Sequence, residues 1–140
     1  MYDCIGFIKY LLLIWKNTMT KILIVDDDAH VTSLLRKYLA PRKFDVTTIN
    51  QSSKTMQTAH AIHPDLFILD LMMPPPDGFE LCTMLRADPS FAKTPILIIT
   101  AMDISNSKAT SFGANDYLAK PFNLDELVTR IDTLLDGNDE

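Results

Sequence analysis

Cysteine is nearly absent from this chain: Cys4 and Cys82 are the only two in 140 residues. Their spacing suits no structural metal, and so sparse a pair excludes a disulfide framework and fits a reducing compartment. Basic runs are missing as well. Thirteen Lys and Arg face 18 Asp and Glu, for a formal charge of −5. The electrostatic footprint of a nucleic-acid binder is therefore not visible, and the balance favours partners that are proteins or cations. No internal repeat or low-complexity segment occurs. The apolar stretch from Cys4 to Trp15 is interrupted by Gly6 and Lys9, too short and too broken for a membrane-spanning helix. It also lacks a basic start, since Asp3 stands there, and no small-residue cleavage site follows it, which argues against a signal peptide.

What is present fits one soluble globular domain. The composition is 47% hydrophobic and 22% charged, and 140 residues suffice for a single core. Met19 stands just before the first regular strand pattern. The expectation is a domain over 19–140 preceded by an apolar extension, 1–18, upstream of a natural start at Met19. The alternatives for that extension are a helix docked on the domain, a dimerisation segment or an interfacial anchor.

From Lys21 the pattern alternates. Lys21–Val25 is a short apolar strand ending on Asp26, Asp27 and Asp28. Val31, Leu34, Leu35, Tyr38 and Leu39 recur at helical spacing until Pro41. Phe44, Val46 and Thr48 alternate as in a half-buried strand. Ser52 or Ser53 is placed to cap a helix carrying Met56, Ala59 and Ile62, closed by Pro64. Leu66–Leu69 is a third strand, ending on Asp70 and followed by Met72, Met73, Pro74–Pro76 and Asp77-Gly78. A helix over 79–86, a fourth strand Ile96–Ile99 running into Thr100, and a weak polar helix from Ser105 to about Phe112 come next, with Gly113 at the C′ position. Tyr117–Ala119 is a short strand leading to Lys120-Pro121, and the last helix, capped by Asn123, shows Leu124, Leu127, Val128, Ile131, Leu134 and Leu135 in register. Five strand–helix repeats with short connections predict a doubly wound α/β fold with a parallel sheet covered on both faces.

A parallel sheet puts its strand ends on one edge, where such folds bind ligands. Asp26, Asp27, Asp70, Thr100 and Lys120 all stand at those ends. Clustered carboxylates repel each other, and a divalent cation relieves that conflict; an all-oxygen donor set suits Mg²⁺. A cation, an ammonium and a hydroxyl around Asp70 make a receptor for a phosphoryl group carried by a carboxylate nucleophile. Asp28, Asp77 and Asp103 read as caps or turn formers, and His30, His60 and His63 as surface residues.

Val25-Asp-Asp27, Leu69-Asp70-Leu-Met-Met-Pro74 with Asp77-Gly78, Ile99-Thr-Ala101 and Gly113-Ala-Asn-Asp-Tyr-Leu-Ala-Lys-Pro-Phe122 occur in the order of a known family. Residues 20–136 resemble the receiver domain of bacterial two-component response regulators, the CheY-like superfamily. The resemblance implies a flavodoxin-like (βα)5 sandwich with strand order 2-1-3-4-5. It implies Asp70 as phosphoryl acceptor, and Mg²⁺ (or Mn²⁺) on Asp26, Asp27, Asp70 and the Met72 backbone carbonyl, with Asp27 the direct ligand of the acidic pair. Thr100 and Lys120 would bind the phosphoryl oxygens, and Thr100 and Tyr117 would form the switch. Lys120–Pro121 is a candidate cis bond. The implied donor is a sensor histidine kinase or a histidine phosphotransfer protein, and the output is a downstream protein target. The expectation is a cytoplasmic, stand-alone regulator, a monomer or phosphorylation-linked dimer, with no direct nucleic-acid binding and no turnover beyond its own phosphorylation and dephosphorylation.

Three proline residues at 74–76 predict a stiffer loop than the family's usual glycine-containing one. Met72 and Met102 stand two residues after the acceptor and two after the threonine; neither thioether positions a water well, so a long-lived phospho-Asp70 is expected. The alternatives are a receiver belonging to a longer regulator and a phosphorylation-independent pseudo-receiver. A haloacid-dehalogenase-type phosphatase would want a second acid where Met72 stands.

Overall fold

The computed structural model describes residues 4–17 and 19–137; Asp3, Thr18 and the tail beyond Gly137 lie outside the described residues. A helix, α1 (Cys4–Asn17), precedes the alternating unit of β1 (Thr20–Val25), α2 (Ala29–Leu39), β2 (Phe44–Ile49), α3 (Thr55–Ile62), β3 (Leu66–Leu69), α4 (Gly78–Ala87), β4 (Ile96–Thr100), α5 (Asn106–Ser111), β5 (Asp116–Ala119) and α6 (Leu124–Asp136). The five strands are all parallel, in the order β2-β1-β3-β4-β5. This is the doubly wound α/β arrangement that the strand–helix alternation predicts.

Alternation along the strands sorts their side chains onto two faces. Leu23, Val25, Phe67, Leu69, Ile96 and Ile98 meet Ala59, Leu81, Cys82, Leu85 and Ala109 of α3, α4 and α5. Ile22, Ile24, Leu66, Ile68, Leu97 and Ile99 meet Leu35, Leu39, Leu127 and Ile131 of α2 and α6. The inner strands β1, β3 and β4 thus bury apolar side chains on both sides, which is why they read as continuous hydrophobic runs rather than alternating ones. On α2 the apolar set is narrower than the sequence spacing implies. Leu35 and Leu39 are buried, whereas Leu34, one residue and 100° round the helix from Leu35, is half exposed.

The helix starts are set by side chains that satisfy otherwise orphaned amides. Asp28 accepts from His30 N at 2.9 Å. Asp77 and Glu80 form a reciprocal capping box. Ser105 accepts from Lys108 N, and Asn123 from Asp125 N and Glu126 N. Ser52 and Ser53 depart from their expected role: they fall in a single 3-10 turn, Ser52–Lys54, and the N-cap of α3 is Lys54, which makes no side-chain cap. Gly113 follows α5 with φ of 101°, the left-handed conformation expected of a C′ glycine. Cys4 to Leu11 on α1 are all exposed, among them Ile5, Phe7, Ile8 and Tyr10. No helix among the described residues is long and apolar enough to cross a membrane.

Candidate functional site

Backbone ladders continued one residue beyond the strands gather the polar strand ends. Asp26 N donates to Ile49 O at the tip of β2, Asp70 N to Val25 O at the tip of β1, and Lys120 N to Thr100 O at the tip of β4, at 3.2, 3.0 and 2.9 Å. Asp26 and Asp70 therefore stand on neighbouring strand tips. Lys120 enters from the edge strand, beyond β4, and its long side chain reaches across: Nζ donates to Asp26 Oδ2 at 2.7 Å and to Asp70 Oδ2 at 3.0 Å. One carboxylate oxygen each of Asp26, Asp27 and Asp70 lie within 4.8 Å of one another. Asp26 and Asp70 are buried and Asp27 is exposed, so the cluster has a covered floor and an open side. Lys120–Pro121 is a cis bond, as is Pro75–Pro76.

The second oxygens are also held. Asp26 Oδ1 accepts from Asp28 N at 2.9 Å and Asp70 Oδ1 from Met72 N at 3.2 Å. Burial pushes the Asp26 carboxyl above the ordinary carboxylate value, against the opposing pull of the Lys120 ammonium and the Asp28 amide; the nearby Asp70 charge adds to the rise. For Lys120, burial works against the charged form, but its hydrogen bonds to Asp26 and Asp70 outweigh it and raise its pKa. The ammonium is thus fixed as a cation between two carboxylates.

Thr100 is fully buried at the end of β4, and its Oγ1 accepts from Met102 N at 3.3 Å. The Met102 carbonyl accepts from the Tyr117 hydroxyl at 3.0 Å. Tyr117, half-buried on β5, is thereby linked to Thr100 through one residue of the β4–α5 loop. Beside the cluster runs an open cleft of about 400 Å³ lined by Asp27, Leu71, Met72, Met73, Pro74, Asp77, Phe79 and Met102. Met72 is 56% exposed at its rim.

Three hard carboxylate donors clustered on an open-sided floor fit a divalent cation with retained water. Asp26, Asp27 and Asp70 would supply the carboxylates.

Some contributors reach the site through contacts that the sequence does not show. Gly78 opens α4 directly against Asp70: a Cβ there would overlap the Asp70 carbonyl oxygen and lie 2.6 Å from Leu71 Cα. Asn50 and Ser52, in the turn after β2, bond to the Asp26 and Pro74 carbonyls. The partner of a side chain 22 or 24 residues away becomes visible only when strands pair; Gly78 alone had a hint, following Asp77 in a turn motif.

The model of the response regulator receiver domain matches residues 22–132. Among curated proteins, the chain is 39% identical over 123 residues to the DNA-binding dual master transcriptional regulator RpaA of Synechocystis sp., covering 86% of this chain and 51% of that protein. It is 38% identical over 119 residues to the response regulator ArlR of Staphylococcus aureus, covering 84% and 53%. The chain thus spans about half the length of these curated relatives. Among solved structures, the Vibrio cholerae chemotaxis protein CheY4 superposes with a TM-score of 0.79 at 28% identity, over 84% of this chain and all of that one. The BeF3-activated N-terminal receiver domain of Klebsiella pneumoniae RstA gives 0.77 at 30% identity, over 83% and 98%. With its fold, its strand-tip carboxylates and the family match in agreement, the chain belongs to the response regulator receiver domain family.

Proposed function

We propose that this receiver accepts a phosphoryl group on Asp70 from a phosphohistidine of a sensor kinase or phosphotransfer protein, acts in the cytoplasm, and changes its protein contacts in response. The observation that carries this reading is the single ammonium of Lys120 held between Asp26 and Asp70 at 2.7 and 3.0 Å, with Asp27 open beside them. An Asp70 carboxylate oxygen attacks phosphorus, the P–N bond breaks, and its electron pair stays on the imidazole nitrogen of the donor. Mg²⁺ (or Mn²⁺), held by Asp26, Asp27, Asp70 and the Met72 carbonyl, would supply positive charge for the transferring oxygens. Lys120 releases one carboxylate contact to take a phosphoryl oxygen, and the Thr100 hydroxyl turns towards another. The protein turns over only its own phosphoryl group and has no separate substrate.

The output follows from the Thr100–Met102–Tyr117 linkage. A Thr100 hydroxyl committed to a phosphoryl oxygen withdraws the acceptor of Met102 N, and the loop that holds the Tyr117 hydroxyl rearranges with it. The phosphoryl group biases an existing two-state equilibrium. If partner binding stays equally phosphorylation-dependent in Tyr117→Phe and Thr100→Ala, this relay fails.

Intact mass after incubation with Mg²⁺ and acetyl phosphate tests the acceptor. The wild type is expected to gain one phosphoryl mass and Asp70→Asn none; an unmodified wild type, or equal gain in both, overturns the assignment. A second reading, in which this receiver governs an attached output segment, draws on the half-length coverage of its DNA-binding relatives. The mass of the native protein distinguishes it from a stand-alone regulator, and also reports whether residues 1–18 are retained.

A further inference from the structure

The turn between β2 and α3 touches the site twice. Asn50 Nδ2 donates to the backbone carbonyl of Asp26 at 2.8 Å and to Thr32 Oγ1 at 2.9 Å. Thr32 is buried on α2 and donates in turn to Ala29 O at 3.2 Å. One side chain therefore fixes the peptide joining Asp26 to Asp27 and ties it to the first turn of α2. Two residues on, buried Ser52 donates from Oγ to the carbonyl of Pro74 at 2.8 Å. Pro74, Pro75 and Pro76 have no amide hydrogens with which to anchor themselves. Among the described residues, the Ser52 hydroxyl makes the one hydrogen bond that reaches Met73–Pro76 from another part of the fold. Neither side chain is occupied in capping α3.

We propose that Asn50 and Ser52 are positioning residues for the cation centre, gripping from one turn the two chain segments between which the ion is held. Asn50 sets the acidic pair on the tip of β1. Ser52 sets the proline loop that carries the Met72 carbonyl after β3. The spacing between Asp27 and Met72 then depends on a turn that contributes no ligand itself. This inference rests on the reading of Asp26, Asp27, Asp70 and Met72 as a divalent-cation centre.

The test is a Mg²⁺ titration of the cation-free full chain, followed by amide chemical shifts, with melting in EDTA recorded for each variant. Ser52→Ala and Asn50→Ala are expected to bind Mg²⁺ about ten-fold more weakly, the scale set by partners that orient metal ligands from behind. Ser52→Thr, which keeps the hydroxyl donor, is expected to bind close to the wild-type affinity. The melting temperature in EDTA is expected to move little, which separates positioning from general loosening. Wild-type affinity in both alanine variants overturns the proposal, as does a loss that Ser52→Thr shares in full. A wild type that binds no Mg²⁺, or an Asp27→Asn variant that binds it equally well, removes the cation centre itself and the proposal with it.

Discussion

Lys120 sets one ammonium against two buried carboxylates, and its loss should therefore depend strongly on conditions. Lys120→Ala leaves Asp26 and Asp70 facing each other beside Asp27. Removing one partner of a buried ionic cluster costs about 3 kcal/mol. We expect that loss in EDTA and a distinctly smaller one in saturating Mg²⁺, which would replace the missing charge; equal losses in chemical denaturation under both conditions would contradict it. Met72 and Met102 carry the second prediction at this scale. Both line the cleft that opens onto Asp27, and a thioether is at best a weak acceptor for an attacking water. Phospho-Asp70 should persist for minutes or longer in purified protein with Mg²⁺, as followed by intact mass, and loss within seconds would refute this. The five residues gathered at the strand ends, Asp26, Asp27, Asp70, Thr100 and Lys120, could be placed together from the sequence because each ends or follows a strand, and strand ends converge whatever the details of packing. Asn50 and Ser52 could not, because their role is a hydrogen bond to a peptide carbonyl on a distant strand end or loop. Ser52 looked like a helix cap, but it lies inside a 3-10 turn and donates its hydroxyl to Pro74 O instead.

Among the helices that cover the sheet, α5 is the shortest. It has six residues, with Ala109 buried, in keeping with the polar pattern that predicts a weak helix. Its C-terminal end is nevertheless pinned. Arg86 of α4 donates to Gly113 O, Phe91 O, Thr94 O and Asn115 Oδ1 at 2.9, 2.8, 2.6 and 2.8 Å. Burial lowers the pKa of this guanidinium, which meets no carboxylate among these partners. A planar fork with several fixed donors cannot be imitated by an ammonium. Arg86→Lys should cost about 2 kcal/mol, and amides near Gly113 should lose hydrogen-exchange protection ahead of those in β3. Gly78 is the other fixed point. A methyl there presses on the backbone of Asp70 and Leu71, so Gly78→Ala should lower stability by about 2 kcal/mol and slow phosphoryl acceptance together. A variant with normal stability and normal acceptance would show that the start of α4 yields freely. The long apolar runs and the capping residues made most elements legible. The single-turn 3-10 segment before α3 was not, since Ser52 bonds to Pro74, 22 residues away, rather than within its own turn.

At the scale of the whole molecule, cation binding and stability should be linked. A ligand that binds only the folded chain stabilises it by about 2.7 kcal/mol at a hundred-fold excess over its Kd, so Mg²⁺ should raise the melting temperature, with EDTA reversing the effect and Asp27→Asn blunting it. The pH dependence has a defined sign. Asp26 titrates above its ordinary value of 3.8 because it is buried. Its contribution to stability is fully present below that ordinary value and is lost as pH rises through the raised folded one. In EDTA, the wild type should therefore lose stability relative to Asp26→Asn as pH is raised across that interval, and Mg²⁺ should flatten the difference. Parallel curves in EDTA would contradict the burial of the Asp26 charge.

The two-faced sheet gives the protein a direction. By alternation from Ile96 and Ile98, Thr100 shares the interior packed by α3, α4 and α5, and Tyr117 and Met102 pack against that same interior. Leu127 and Ile131 of α6 and Leu35 and Leu39 of α2 fill the other. The strands act as a bulkhead between the two. A change that begins at Thr100 has neighbours to push on one side only, and the compartment behind serves as ballast. On the proposed relay, substitutions in the rear compartment should change stability alone, whereas those in the front one should change stability and the response to phosphorylation together.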